Sequence, residues 1–158
     1  MFLLLTAALA APPAGTWVTE ESTEAVQARI DAAVDKAASE FGMFKSLARS
    51  RLARSTQWCK RYTVDLTGDP LTYRCDDRDP LVTPVAELGK SRTLPLEKGP
   101  VDNVVTWADP SLTVRFGDDS GSRTNVFRFE GDRLLLTVTV RSPRLSEPLT
   151  WTIPYRRQ

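Results

Sequence analysis

The chain of 158 residues contains no histidine. That excludes the Ser-His and Cys-His nucleophile systems and the imidazole general base. It also removes the commonest zinc ligand, and two cysteines do not make a structural zinc site. Charge of one sign is lacking too: a net charge of +1 argues against a nucleic-acid binder. No apolar run approaches the roughly 20 residues that a membrane span needs, so no transmembrane segment is expected in the mature chain. There is no internal repeat and no low-complexity tract, and no cofactor or metal ligand set is expected.

One apolar run is nevertheless conspicuous. Met1 to Ala11 is apolar and ends in Ala8-Leu9-Ala10, a small-x-small pattern that reads as a secretory signal peptide, although no Lys or Arg precedes the run. A buried N-terminal strand or helix is the competing reading. No cysteine follows the run, so a lipoprotein anchor is not indicated. The expected organisation is residues 1–10 as signal peptide, 11–18 as a linker and the Gly15-Thr16-Trp17 segment, and 19–158 as one domain. Within that domain, helices are expected over 19–55 and strands over 61–156. In an exported chain, Cys59 and Cys75 are expected to pair, two buried free thiols being the alternative. Closing a loop of about 15 residues could stabilise the fold by roughly 3 kcal/mol.

The helical expectation rests on spacing. Thr19 or Thr23 can cap a first turn containing Glu20, Glu21 and Glu24. Val26, Ile30, Val34, Ala37 or Ala38, and Phe41 follow at helical intervals, and Phe44, Leu47 and Leu52 continue them. One straight helix over this span would be about 50 Å long, so a break is expected near Gly42. Residues 20–40 hold six acids and two bases, whereas residues 45–61 hold six bases and no acid. Complementarity to the helix dipole accounts for this. The other reading is a basic face for an anionic membrane or an acidic partner, carried by Lys45, Arg49, Arg51 and Arg54.

From Arg61 the period changes to two. Tyr62, Val64 and Leu66, then Leu71, Tyr73 and Cys75, alternate with polar residues. Pro80, Pro84 and Pro95 demote the runs between Asp76 and Lys98 to edge or irregular strands. Asn103 to Trp107 reads as a strand. The last 45 residues are the clearest. One face carries Leu112, Val114, Phe116, Phe127, Phe129, Leu134, Leu136, Val138, Val140, Leu149, Trp151, Ile153 and Tyr155. The other carries mainly Thr and Arg. Successive strand side chains point to opposite faces, so this is an antiparallel up-and-down meander with one buried face. Eight or nine strands are expected, enough for a barrel or a strongly curved sheet. The fold class is therefore mainly β with an N-terminal helical segment.

Gly15-Thr16-Trp17 resembles the Gly-x-Trp that opens the lipocalins and related calycins. The resemblance implies a barrel closed at one end by Trp17, with an Arg from the last strand lying across it. Arg156, or its neighbour Arg157, fills that position, and the pair expected is Trp17 with Arg156. Here Gly-x-Trp leads toward a helix, which departs from the usual lipocalin order. The combination of signal, Gly-x-Trp, basic helix and C-terminal meander is similar to small exported bacterial lipocalin-like proteins. A periplasmic or extracellular location is what that likeness implies. Fold alone does not license function.

Motifs with chemistry are few. Gly117-Asp118-Asp119-Ser120-Gly121 resembles the nucleophile loop of trypsin-like proteases, but with an extra Asp and no histidine it reads as a hairpin loop. Asp76-Asp77-Arg78-Asp79 lacks the ligand spacing of a calcium loop and reads as a solvated loop. No catalytic residue is expected and the chain is not read as an enzyme. The candidate site is the inner face of the meander: Leu112, Val114, Phe116, Phe127, Phe129, Leu136, Val138, Trp151, Ile153 and Tyr155. These either line a cavity for a small apolar ligand, lipid or fatty-acid-like, or fill the barrel as core. The second case leaves a cell-envelope protein-interaction or inhibitor module with no ligand.

Overall fold

A computed structural model describes residues 11–158, and the signal peptide expected over residues 1–10 lies outside them. Ten strands form one antiparallel sheet. They are β1 (Ala14–Thr19), β2 (Arg61–Asp65), β3 (Leu71–Cys75), β4 (Leu81–Thr83), β5 (Arg92–Leu96), β6 (Gly99–Ala108), β7 (Ser111–Asp118), β8 (Gly121–Glu130), β9 (Arg133–Arg141) and β10 (Leu149–Arg157). The spatial order is β4-β3-β2-β1-β10-β9-β8-β7-β6-β5. Chain neighbours pair except β4 and β5, which form the two edges of the sheet, and the first and last strands join where Trp17 of β1 faces Arg157 of β10. The result is a lipocalin-like meander curled about one core.

Two helices, α1 (Thr23–Ala38) and α2 (Lys45–Ala53), occupy the β1–β2 connection. Gly-x-Trp, expected to lead toward a helix without a strand of its own, is therefore part of the first strand, paired on both sides. Its brevity hid it: six residues offer too few alternations to register a period. The short strands β4 and β5 were obscured in the same way by their prolines. Ser22, rather than Thr19 or Thr23, caps α1, its Oγ accepting from Ala25 N at 3.1 Å. The break between helices comes where expected: a 3₁₀ turn over Ser39–Phe44 contains Gly42 at φ 53° and ψ −121°, which a side chain would resist.

Burial follows the two periods. On α1, Val26, Ile30, Val34, Ala37 and Ala38 are buried, and most of them join the core of the sheet. Arg29 pairs with Glu21 and donates to Thr152 O at 2.7 Å, fixing α1 against β10. On β9, Leu134, Leu136, Val138 and Val140 are buried, while Arg133, Leu135 and Arg141 are exposed. The β7–β8 hairpin needs glycine at 117, where φ is 92° and a Cβ would lie 2.2 Å from Gly121 O. Cys59 and Cys75 form a disulfide joining the approach to β2 with the end of β3. No described helix is long and apolar enough to cross a membrane.

Candidate functional site

The inner face of the meander divides into two parts. Leu112, Val114, Phe127, Phe129, Leu136, Val138, Trp151, Ile153 and Tyr155 are all buried in one continuous cluster. Aromatic rings interlock there: Tyr62 meets Phe127 edge-on at 4.9 Å and Tyr155 at 5.4 Å, and Tyr73 meets Phe127 at 5.6 Å. Toward Trp17, Phe129 lies 5.2 Å from the Trp17 ring and 6.1 Å from Trp107. Such close approaches leave these side chains packed on one another. Of the ten residues expected as lining, Phe116 alone reaches open space.

That space is a groove of about 580 Å³ at the mouth of the sheet. The 3₁₀ turn and α2 form one wall, with Phe41, Phe44, Leu47 and Leu52. Phe116 of β7, Val140 of β9 and Leu145 of the β9–β10 loop form the other. Four arginines border it: Arg51, Arg123, Arg141 and Arg144. The walls are stapled by Glu40, whose carboxylate accepts from Ser146 Oγ at 2.6 Å and from Ser146 N at 3.1 Å. Those two bonds hold the Glu40 carboxyl below its ordinary pKa.

Arg123 differs from the other three. It stands on the inward face of β8, in line with Asn125, Phe127 and Phe129. Its Nε donates to Asn125 Oδ1 at 3.0 Å, its Nη1 to Ser55 O at 3.1 Å, and its guanidinium lies 5.8 Å from the Trp151 ring centre. Among the described residues it has no carboxylate partner within ion-pair distance. Burial pulls its pKa below the usual value, while the neighbouring Tyr62 and Tyr73 phenols act in the opposite sense. A guanidinium remains charged even so. Burial pushes Tyr62 up to about 12 and raises Tyr73 and Tyr155 still further, so all three are neutral phenols. Tyr155 OH donates to Cys59 O at 2.7 Å, whereas the buried indole N–H of Trp151 has no partner. Arg123 is absent from the inner face expected from the sequence, which takes up β8 only at the apolar Phe127 and Phe129. The available signal was parity: residue 123 is odd-numbered like Phe127 and Phe129, hence on the same face.

The Trp17 pair needs correction. Arg157, not Arg156, lies over Trp17, 5.4 Å from the ring centre. Tyr155 points inward on β10, so Arg156 must point outward, where it meets Glu20 at 3.4 Å, and Arg157 returns to the side of Trp17. The basic stretch is also divided: Arg49 pairs with Asp35 at 2.8 Å, Arg51 borders the groove, and Lys45 and Arg54 are exposed. The one described cluster of metal-ligating type is Cys59, Cys75 and Asp76, and its thiols are consumed in the disulfide. Asp76 Oδ1 accepts from Arg61 N at 2.9 Å and Asp77 pairs with Arg61, so the acidic loop closes the end of the β2–β3 pair.

No protein-family model matches the chain, and no curated protein matches it in sequence. Solved structures do match in fold. An abundant heat soluble (SAHS) protein from Ramazzottius varieornatus aligns with a TM-score of 0.58 at 14% identity, over 92% of this chain and 94% of that one. Human cRBP IV aligns with a TM-score of 0.53 at 15% identity, over 94% and 99%. The REP1-NXSQ fatty acid transporter aligns with a TM-score of 0.51 at 11% identity, over 92% and 95%. At these identities the likeness shows the fold alone, a curled antiparallel meander of lipocalin-like architecture.

Proposed function

We propose that this protein binds a small amphiphile, with its apolar tail in the groove beneath α2 and an anionic head at Arg123. The observation that carries the reading is Arg123 itself, a half-buried cation on the inward face of β8 with no carboxylate partner among the described residues, at the edge of an apolar groove. Partial desolvation of an unpaired charge is costly, and an anionic head group would offset that cost. The groove's volume lies in the range of small-molecule sites. The shared fold with a fatty acid transporter supports the same ligand class.

The test is titration with palmitate and with hexadecanol, which share a tail and differ in head. Palmitate is expected to bind more tightly, and Arg123→Gln to remove most of that preference. Failure of both to bind, or equal binding of the two, overturns the reading.

We infer further that the mature chain is exported, to a periplasm or the cell exterior. The apolar run before Ala11 and the Cys59–Cys75 disulfide both support this. N-terminal sequencing of protein from its native cell should start just after Ala10. Alkylation without reductant should label no thiol, and two labels would count against an oxidising compartment.

A further inference from the structure

The helical hairpin presents a second surface, which overlaps the groove wall at Phe44, Leu47 and Arg51 and extends beyond it through Met43, Lys45 and Arg54. Unlike α1, neither α2 nor the 3₁₀ turn before it has a single buried residue. Instead the tip displays large apolar side chains: Met43 is 90% exposed, Phe44 63% and Leu47 52%. Along α2, Leu47, Arg51 and Arg54 recur at intervals of four and three, so they share one face. Lys45, Arg51 and Arg54 have no ion pair among the described residues, nor do Arg141 and Arg144 across the groove. The acid nearest to Lys45 and Arg51 in sequence, Glu40, is held by Ser146. An apolar tip ringed by unneutralised bases is the arrangement of an interfacial helix.

We propose that this face docks on an anionic lipid bilayer, with Met43 and Leu47 entering the headgroup–acyl boundary and Lys45, Arg51 and Arg54 meeting the headgroups. Charge complementarity selects the occupant. The size of the apolar tip selects it over a protein: three projecting side chains fall far short of the roughly 800 Å² per partner of a stable protein interface. A bilayer needs no matching pocket, only an apolar interior beneath negative charge. The inference stands apart from the ligand reading, because Met43, Lys45 and Arg54 do not line the groove.

The experiment is flotation of the full chain with vesicles of phosphatidylcholine, with and without phosphatidylglycerol. Binding is expected to require phosphatidylglycerol and to weaken as salt rises. Each cation near an anionic surface contributes a factor of about five, so Met43→Ser/Lys45→Glu/Arg54→Glu is expected to lose at least about 25-fold in vesicle affinity from the two cations, and more from the reversed charges and the lost apolar side chain. The same variant should keep the palmitate affinity of the parent, which separates failure of docking from failure of the groove. A charge-keeping Lys45→Arg/Arg54→Lys variant should bind vesicles like the parent. Absence of vesicle binding, equal binding to neutral vesicles, or an unaffected triple variant would each overturn the proposal. So would capture by polyglutamate without capture by vesicles, which would assign the face to an acidic protein.

Discussion

Arg92 and Thr83 hold together two strands that share no main-chain ladder: Arg92 Nη2 donates to Thr83 Oγ1 at 2.6 Å. The sheet order begins at β4 and ends at β5, so the two edges of the curled sheet meet at a seam there. Arg92 of β5 also donates through Nη1 to Val82 O of β4 at 2.7 Å, and through Nε to Asn103 Oδ1 at 3.1 Å. Asn103 is fully buried and passes the network on to Arg115 O at 3.0 Å. A planar fork with fixed donors suits this task as lysine would not.

Arg92→Ala should therefore cost about 2–3 kcal/mol, because it removes charge-assisted bonds and strands the side-chain oxygen of buried Asn103. Urea denaturation measures the loss. Hydrogen exchange should quicken first in the β4 and β5 amides, and an unchanged exchange rate there would show that the seam holds without Arg92.

The two arginines at the end of β10 should behave differently. Arg157 stacks on Trp17 and donates to Ala14 O, so Arg157→Ala should cost about 1 kcal/mol. Arg156 meets only Glu20, on the exposed side, and Arg156→Ala should cost no more than about 0.5 kcal/mol. Thermal melts of the two variants, side by side, check the order.

Phe127 and Phe116 separate core from site. Phe127 is fully buried among Tyr62 and Tyr73, and Phe127→Ala should cost about 3–5 kcal/mol by leaving a cavity. Palmitate affinity measured on the still-folded fraction should hardly change. Phe116→Ala should do the reverse, weakening palmitate about tenfold, equivalent to roughly 1.4 kcal/mol of lost apolar contact. The comparison fails if both variants lose affinity equally.

Alkali should unfold the protein through its phenols. Burial raises Tyr62 from 10.0 to about 12. A group whose folded pKa is raised contributes stability fully present below its unfolded pKa and lost as pH rises through the folded one. Stability should hence be flat up to about pH 10 and fall between pH 10 and 12, with phenolate absorbance rising as near-ultraviolet dichroism disappears. Tyr62→Phe should make the fall shallower.

Much of this was legible before any coordinates. The alternation from Leu112 to Tyr155 is local chemistry: tetrahedral carbon places successive side chains on opposite faces, and one apolar set must turn inward. Gly42 broke the helices because a position of positive φ disfavours any side chain. The pairing of Cys59 with Cys75 was expected from two cysteines in a chain read as exported, where free thiols were the alternative. Even the odd-numbered parity that places Arg123 inside is present in the residues, though a face picked out by apolar side chains alone passes over it.

What the tertiary structure alone decided is where the inward face is full and where it is open. Periodicity shows that Phe116 and Phe127 share a face but cannot say that Phe127 is locked between tyrosines while Phe116 looks into a groove. That depends on α2 lying across the mouth and on Glu40 reaching Ser146, more than 100 residues away in the chain. The same holds for the β1–β10 junction that puts Arg157 on Trp17, and for the seam that Arg92 spans. The pattern of side chains along a strand is determined residue by residue. The closure of a sheet is determined by contacts between segments far apart in the chain, and no local period encodes those.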